Sequence, residues 1–179
     1  MKINEKNYYD KKKNWNFNNF DIISEKLTDW DMYDILNNLS NENSKILDIG
    51  TGGGEQLLEH FPCVKEIVGT DYSSEMIKTA NQNLLKSKRK NIKFRIMDNL
   101  KMDVPMNYYD IIVARNTVID AKQIYDALRD GGYLIVRGVD KYDCHELKLI
   151  FEKGQGVKDS KPISIVDYEN ILSAGFKDV

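Results

Sequence analysis

Ile46-Leu47-Asp48-Ile49-Gly50-Thr51-Gly52-Gly53-Gly54-Glu55 is the stretch on which the fold of this chain turns. A short buried-strand pattern runs straight into a glycine loop, with a carboxylate two residues before the first glycine. A loop so poor in side chains lets the backbone come within van der Waals distance of a ligand. The amides opening the next helix are then expected to face that ligand. The glycine spacing is Gly50-x-Gly52-x-Gly54, and position 55 is Glu. A G-x-G-x-x-G dinucleotide fingerprint would need glycine there, so the loop departs from that pattern.

The alternation of elements around this loop gives the fold class. Strand patterns fall at 45–49, 66–70, 92–96, 110–114 and 133–138, each short and rich in Ile, Val, Leu or aromatics. Helical patterns lie between them at 54–61, 73–87 and 121–129, the second carrying Met76, Ile77, Ala80 and Leu84 on one side. Such alternation predicts an α/β fold, a parallel sheet with helices on both faces. Upstream, Thr28-Asp29-Trp30-Asp31 reads as a capping box opening a helix with Met32, Ile35, Leu36 and Leu39 on one face. Downstream, Asp130-Gly131-Gly132 is expected to stop the third of the alternating helices. A helix near 143–152 follows, and Ser164-Ile165-Val166-Asp167 reads as a second capping box for a helix ending at Gly175. Phe176-Lys177-Asp178-Val179 reads as the start of a sixth strand.

The chain has 179 residues, enough for one domain whose folding buries roughly 70% of the unfolded surface. No Pro/Gly/Ser linker or internal repeat divides it; residues 1–28 form a polar and aromatic lead-in and 29–179 the folded domain. Net charge is -2, so no global field points to nucleic acid or a membrane surface. No apolar run approaches the ~18 residues of a membrane span, and the start lacks the apolar core of a signal peptide. A cytoplasmic protein with no membrane partner is expected. Cys63 and Cys144 lack C-x-x-C spacing and a nearby His pair, which predicts reduced thiols and no metal site.

Four features then fall in order at the carboxyl ends of the predicted strands, the edge where open α/β sheets bind ligands. The first is the glycine loop with Asp48. Asp71 ends the second strand, where a carboxylate could accept from both hydroxyls of a ribose; as a lone residue it reads equally as a turn former beside Ser73 and Ser74. Asp98-Asn99 follows the third strand, where a carboxylate or amide could recognise the amine of an adenine; alone it reads as a polar turn. Ala114-Arg115-Asn116-Thr117 ends the fourth strand, where the reacting end of a ligand would lie.

In this combination the sequence resembles the class I S-adenosylmethionine-dependent methyltransferases from about residue 30 to 179. The family's D-x-G-x-G-x-G loop matches Asp48, Gly50, Gly52 and Gly54, its ribose-binding acid matches Asp71, and its adenine-recognising acid matches Asp98. Leu128-Arg129-Asp130-Gly131-Gly132-Tyr133-Leu134 resembles its L-x-P-G-G-x-L/F segment, with Asp130 in place of Pro. The resemblance implies a Rossmann-like doubly wound, mostly parallel sheet in the order 3-2-1-4-5 and then 6. It implies S-adenosyl-L-methionine as cofactor and S-adenosyl-L-homocysteine as product. The implied cofactor set also takes in Thr51, Tyr72, Met97, Asn99 and Arg115. The family's last antiparallel strand has no counterpart before the chain stops at Val179. A shortened or incomplete chain is the expectation, or else a sixth strand that frays or pairs with a second chain.

Methyl transfer from a sulfonium needs in-line positioning and excluded water, with a base only where the acceptor must lose a proton. Candidates around the acceptor are Arg115 and Asn116 after strand four, and Asp140 and His145 after strand five. His145 reads as a base or as a helix-surface residue. Arg115 reads as a holder of an anionic substrate or as the partner of Asp98 or Asp120. The Asp/Asn-Pro-Pro-Tyr signature of amino-methylating members is absent, since Arg115-Asn116-Thr117-Val118 stands there. Tyr8, Tyr9, Trp15, Phe17 and Phe20 lie among Lys11–Lys13 and several Asn, fitting a lid, a packed tail or an RNA contact. A second basic run, Lys86 to Lys93, reads as a solvated turn. A small-molecule acceptor is favoured over RNA because the chain is slightly acidic and carries no appended nucleic-acid module. A noncatalytic cofactor-binding protein and a nicotinamide oxidoreductase are the competing classes; Glu55 argues against the second.

Overall fold

A computed structural model describes residues 28–152 and 161–179. The lid, tail or RNA-contact expectation for the aromatic and basic lead-in lies outside the described residues. In chain order the elements are α1 (Met32–Leu39), β1 (Lys45–Ile49), α2 (Glu55–His60), β2 (Glu66–Asp71), α3 (Ser74–Ser87), β3 (Ile92–Ile96), β4 (Tyr109–Arg115), α4 (Ala121–Ala127), β5 (Leu128–Arg137), α5 (His145–Phe151) and α6 (Ile163–Ala174). The strands form one parallel sheet in the order β3-β2-β1-β4-β5, the order the family resemblance implies.

Alternation along each strand splits the core into two layers, because successive side chains point to opposite faces. Ile46, Ile67, Ile111 and Val113 pack with Met32 and Leu36 of α1 and Leu57 of α2. Leu47, Ile49, Val68, Ile112 and Ala114 pack on the other face with Ile124 and Ala127 of α4. The central strand β1 contributes Ile46, Leu47 and Ile49, all fully buried, so both layers meet on it.

Local chemistry moves several boundaries from where the sequence places them. Asp31, not Thr28, caps α1, its Oδ1 accepting the Tyr33 and Asp34 amides at 2.8 and 3.4 Å. A carboxylate at the cap satisfies two of the otherwise unpaired first amides of the helix. The Asp130-Gly131-Gly132 turn does not end α4, which stops at Ala127. Leu128 already pairs with Tyr109, the next pairs begin at Ile111 and Tyr133, and the intervening turn takes up the register shift. Gly131 has φ +72 there, and a Cβ on Gly132 would stand 2.9 Å from the Arg129 carbonyl oxygen. The second capping box also fails: Pro162 precedes α6, and Ser164 lies inside its first turn, donating from Oγ to Asp140 Oδ2 at 2.6 Å. Gly175 does end α6, with φ +110.

The sixth strand is corrected too. Residues 176–179 form no strand; the Phe176 ring packs edge-on against Tyr125 of α4, with centroids 5.2 Å apart. Among the described residues the sheet has five strands, and β5 is an edge.

Within the basic run, Arg89 makes several contacts to backbone carbonyls. Arg89 donates to the carbonyls of Leu58 (3.4 Å), Phe61 (2.9 Å) and Pro62 (2.7 Å), tying the end of α2 to the α3–β3 turn. Lys88 (φ +61) and Lys90 make no comparable bonds among the described residues. Arg89→Ala should cost about 1–3 kcal/mol by leaving carbonyls without a donor, and Lys90→Ala should stay within about 0.5 kcal/mol. Urea unfolding of the two variants checks this; equal midpoints would remove the structural role.

Candidate cofactor site at the carboxyl rim

The sheet order places a switch point between β1 and β4, where successive crossovers leave in opposite directions and a crevice opens at the carboxyl ends. The glycine loop begins there. Thr70 O accepts from both the Gly50 and Thr51 amides at 2.8 Å, which bends the chain off β1 toward β2. Gly50, Gly52 and Gly54 all have positive φ, at 75, 61 and 74°. The loop is also packed by the protein itself. A Cβ on Gly50 would stand 2.7 Å from Thr117 Cβ, and one on Gly54 2.7 Å from the Phe94 ring. Glycine is therefore needed here for internal closeness as well as for ligand approach.

Asp71 ties the loop to the next element. Its Oδ2 accepts the Gly52 amide and its Oδ1 the Ser73 amide, both at 2.9 Å. The carboxylate is thus oriented by two backbone donors, one from the glycine loop and one from the N-cap residue of α3. Asn83 of α3 adds a second clamp, donating to the Gly53 carbonyl at 2.9 Å. Tyr72, next along, is exposed.

The rim continues strand by strand. The Met97 amide donates to Asp71 O at 3.0 Å, joining the β2 and β3 ends, and the Met97 side chain is buried. Asp98 Oδ1 accepts the Leu100 amide at 2.9 Å, the polar turn that its sequence context allowed. Asn99 Nδ2 donates to Thr117 Oγ1 at 2.7 Å, linking the β3 loop to the β4 loop across Gly50. The Asn116 amide donates to Arg137 O at 2.8 Å and joins β4 to β5; Asn116 itself is exposed with φ +52. Asp48, the glycines, Asp71, Asp98, Asn99, Arg115 and Asn116 thus share one edge.

Two sequence candidates lie apart from this rim chemistry. Asp140 accepts from Ser164 Oγ and the Ser164 amide, and that bonding holds its carboxyl below the usual range. It caps α6. His145 is exposed at the start of α5 with its ring edge-on to Tyr142.

The electrostatics are uneven along the rim. Asp48 is 4% exposed, and burial pushes its carboxyl up to about 6, opposed by the Thr51 hydroxyl and the Arg115 guanidinium. Asn99 Oδ1 is buried without a hydrogen-bond partner among the described residues. Buried polar atoms nearly always have partners, so this oxygen is open to a ligand at the rim. The Glu55 carboxylate folds over the loop, 2.5 Å from where a Gly53 Cβ would stand. No cluster of three or more His, Cys, Asp or Glu suited to a metal occurs among the described residues.

Sequence reasoning overlooked Thr117, Asn83, Tyr33 and Arg137. Thr117 stood in the quoted β4 segment, but its approach to Gly50 depends on tertiary packing. Arg137 could have been found by counting register, since it sits opposite Arg115 on the neighbouring strand.

A family model described as a methyltransferase domain matches residues 40–165. An uncharacterized methyltransferase from Bacillus subtilis is 28% identical over 100 residues, covering 51% of this chain and 40% of that protein. A SAM-dependent methyltransferase from Aquifex aeolicus superposes with TM-score 0.62 at 18% identity, covering 82% of this chain and 80% of that one. Haemonchus contortus phosphoethanolamine N-methyltransferase 2, solved with S-adenosyl-L-methionine, gives TM-score 0.61 at 21% identity, covering 82% of this chain and 36% of that one. The chain spans less than half the length of the Bacillus relative. No helix among the described residues is long and apolar enough to cross a membrane. With the matched family model over most of the chain and the 3-2-1-4-5 sheet beneath it, this chain belongs to the class I methyltransferase-domain family.

Proposed function

We propose that this domain binds S-adenosyl-L-methionine along the β1–β3 part of the rim and moves its methyl group to a small-molecule acceptor at the β4–β5 part. The observation that carries this reading is the sign of the charge. Asp48, Glu55, Asp71 and Asp98 gather around the glycine loop and the β3 turn, a field that favours a cation. The cofactor offers one in its sulfonium and a second in its ammonium. The same field argues against a dinucleotide, whose pyrophosphate would meet Glu55 over Gly53.

Asp71, oriented by two amides, takes the ribose hydroxyls; Asn99 and Asp98 take the adenine side; the Gly50–Gly54 backbone and Thr51 lie against the methionine part. Tyr72 and Met97 flank these positions. When bound, the cofactor supplies an activated methyl on a good leaving group. The chain's task is then to aim the acceptor and keep water out, which needs placement more than acid–base catalysis. Arg115 and Asn116 stand at the acceptor end, and neither is asked to move a proton. A small acceptor fits the slightly acidic chain, and the Haemonchus neighbour is named for a small phosphorylated one.

Calorimetric titration with S-adenosyl-L-homocysteine should show one site, and Asp71→Ala should weaken it at least about tenfold, the equivalent of ~1.4 kcal/mol. Nicotinamide cofactors should give no heat of binding. Tight nicotinamide binding, or Asp71→Ala with unchanged affinity, would contradict the assignment.

Asp48 gives a pH test. Its folded pKa of about 6 lies above the ordinary 3.8, so the native state holds this proton more tightly than the unfolded chain. The stability it contributes is full below pH 3.8 and is lost as pH rises through 6, about 3 kcal/mol in all. In the cofactor-free protein, Asp48→Asn should therefore gain on the wild type by roughly that amount between pH 4 and 7. Affinity for S-adenosyl-L-homocysteine should rise over the same interval in the wild type, as the ionised carboxylate meets the ligand's ammonium, and stay flat in Asp48→Asn. Parallel stability curves for the two proteins would refute the burial account.

A further inference from the structure

At the β4–β5 end of the rim the charge reverses. Arg115 and Arg137 are direct register partners at the ends of two adjacent parallel strands. Cross-strand partners project to the same face of a sheet. Val113 and Ile135, two residues before them, pack in the layer built on α1, so both arginines rise on the α1 side. Tyr33 of α1 stands there as well: its ring stacks on His60 at 4.5 Å, and its hydroxyl donates to Gln56 Oε1 at 2.9 Å. The fields of both guanidiniums reach that hydroxyl.

Among the described residues these two cations have no ion-pair partner, with no carboxylate within 4.0 Å of either. The two acids that sequence offered to Arg115 are committed elsewhere. Asp98 turns onto the Leu100 amide, and Asp120 caps α4 through Gln123, accepting its amide at 3.0 Å and its side chain at 2.7 Å. Asp48 shares the face and pulls on Arg115 without ion-pairing to it. Arg137 has not even that. Like charges placed directly opposite on a sheet destabilise it, so the pair is set to receive an anion from outside. Two planar forks can grip an oxyanion through several charge-assisted bonds at once.

We propose that Arg115 and Arg137 form the anion-binding half of the acceptor site, so that the methyl acceptor carries an oxyanion, a phosphate monoester or a carboxylate. This rests on the methyltransferase reading above and names the substrate class for it. Tyr33 walls the pair on the α1 side. The acceptor's anionic end is gripped at the β4–β5 edge, and its nucleophilic end is turned toward β1, where the cofactor's cation is held. Charge thus sorts the two ligands along one rim.

The test titrates protein saturated with S-adenosyl-L-homocysteine with inorganic phosphate, and separately with acetate, at ionic strength held constant with sodium chloride. The melting temperature should rise saturably in the wild type, and the ion acting at lower concentration names the group. Arg115→Gln and Arg137→Gln should each raise the apparent dissociation constant at least about tenfold, in line with losing a charge-assisted contact. In chloride alone, Arg137→Gln should melt no lower than the wild type, because it relieves a like-charge contact. No saturable rise, or a rise unchanged in both variants, would overturn the proposal. So would a fall of several degrees for Arg137→Gln in chloride, which would make that arginine structural, or displacement of the cofactor product by phosphate, which would assign the pair to the cofactor's carboxylate. A wild type that fails to bind S-adenosyl-L-homocysteine would instead remove the methyltransferase reading. The same anion titration on cofactor-free protein would still report on the arginine pair.

Discussion

The Asp71 carboxylate, shared between the Gly52 and Ser73 amides, is the interaction on which the geometry of the rim depends. It fixes the glycine loop to the start of α3, and the Asp71 carbonyl holds the first residue past β3 through the Met97 amide. One residue therefore sets the relative positions of three strand ends. The Asn99–Thr117 bond then carries the rim across the β1–β4 switch point, over Gly50. A rigid edge of this kind suits a reaction whose chemistry resides in the cofactor and whose demand on the protein is alignment.

Charge gives the rim a direction. Acids surround the β1–β3 end, and two arginines without carboxylate partners among the described residues stand at the β4–β5 end. Between them Asp48 is buried in the α1 layer at a cost in stability once ionised, with Arg115 the cation that offsets part of it. Burying an ionisable group without a full partner is tolerated where a ligand completes the pairing. Asn99 Oδ1, buried without a hydrogen-bond partner among the described residues, leaves the same incompleteness in hydrogen bonding. Charge and hydrogen bonding thus leave gaps along the same edge.

The fold was legible because its signals are local and repeat. Each strand is a short apolar run, each helix shows its period, and the Asp48–Gly54 loop is written in consecutive residues. Apart from the α1 cap, where nearby Asp31 displaces Thr28, the failures have a common cause, a partner distant in sequence. Ser164 looks like a cap by spacing, yet Asp140, from the loop after β5, takes its hydroxyl into the first turn of α6. Phe176 looks like the start of a strand, yet Tyr125 offers its ring an aromatic contact instead. The α4 end was misplaced because Leu128 gains a ladder partner in Tyr109 one residue before the helical pattern runs out. In the site, the acids of the glycine loop and strand ends were visible one by one. Arg137 was not, since its significance comes from register with Arg115, and Tyr33 lay hidden in a helix that composition marks only as amphipathic.

The central claim is that one adenosyl ligand lies along the carboxyl rim from the glycine loop to the β3 turn. Backbone amide NMR shifts on adding S-adenosyl-L-homocysteine test it most directly. Shifts concentrated at Gly50–Gly54, Asp71–Ser73 and Asp98–Asn99, with Lys45, Asn91 and Asp110 at the opposite edge unmoved, are the predicted result. Shifts centred on that opposite edge, or none at saturating ligand, would contradict it.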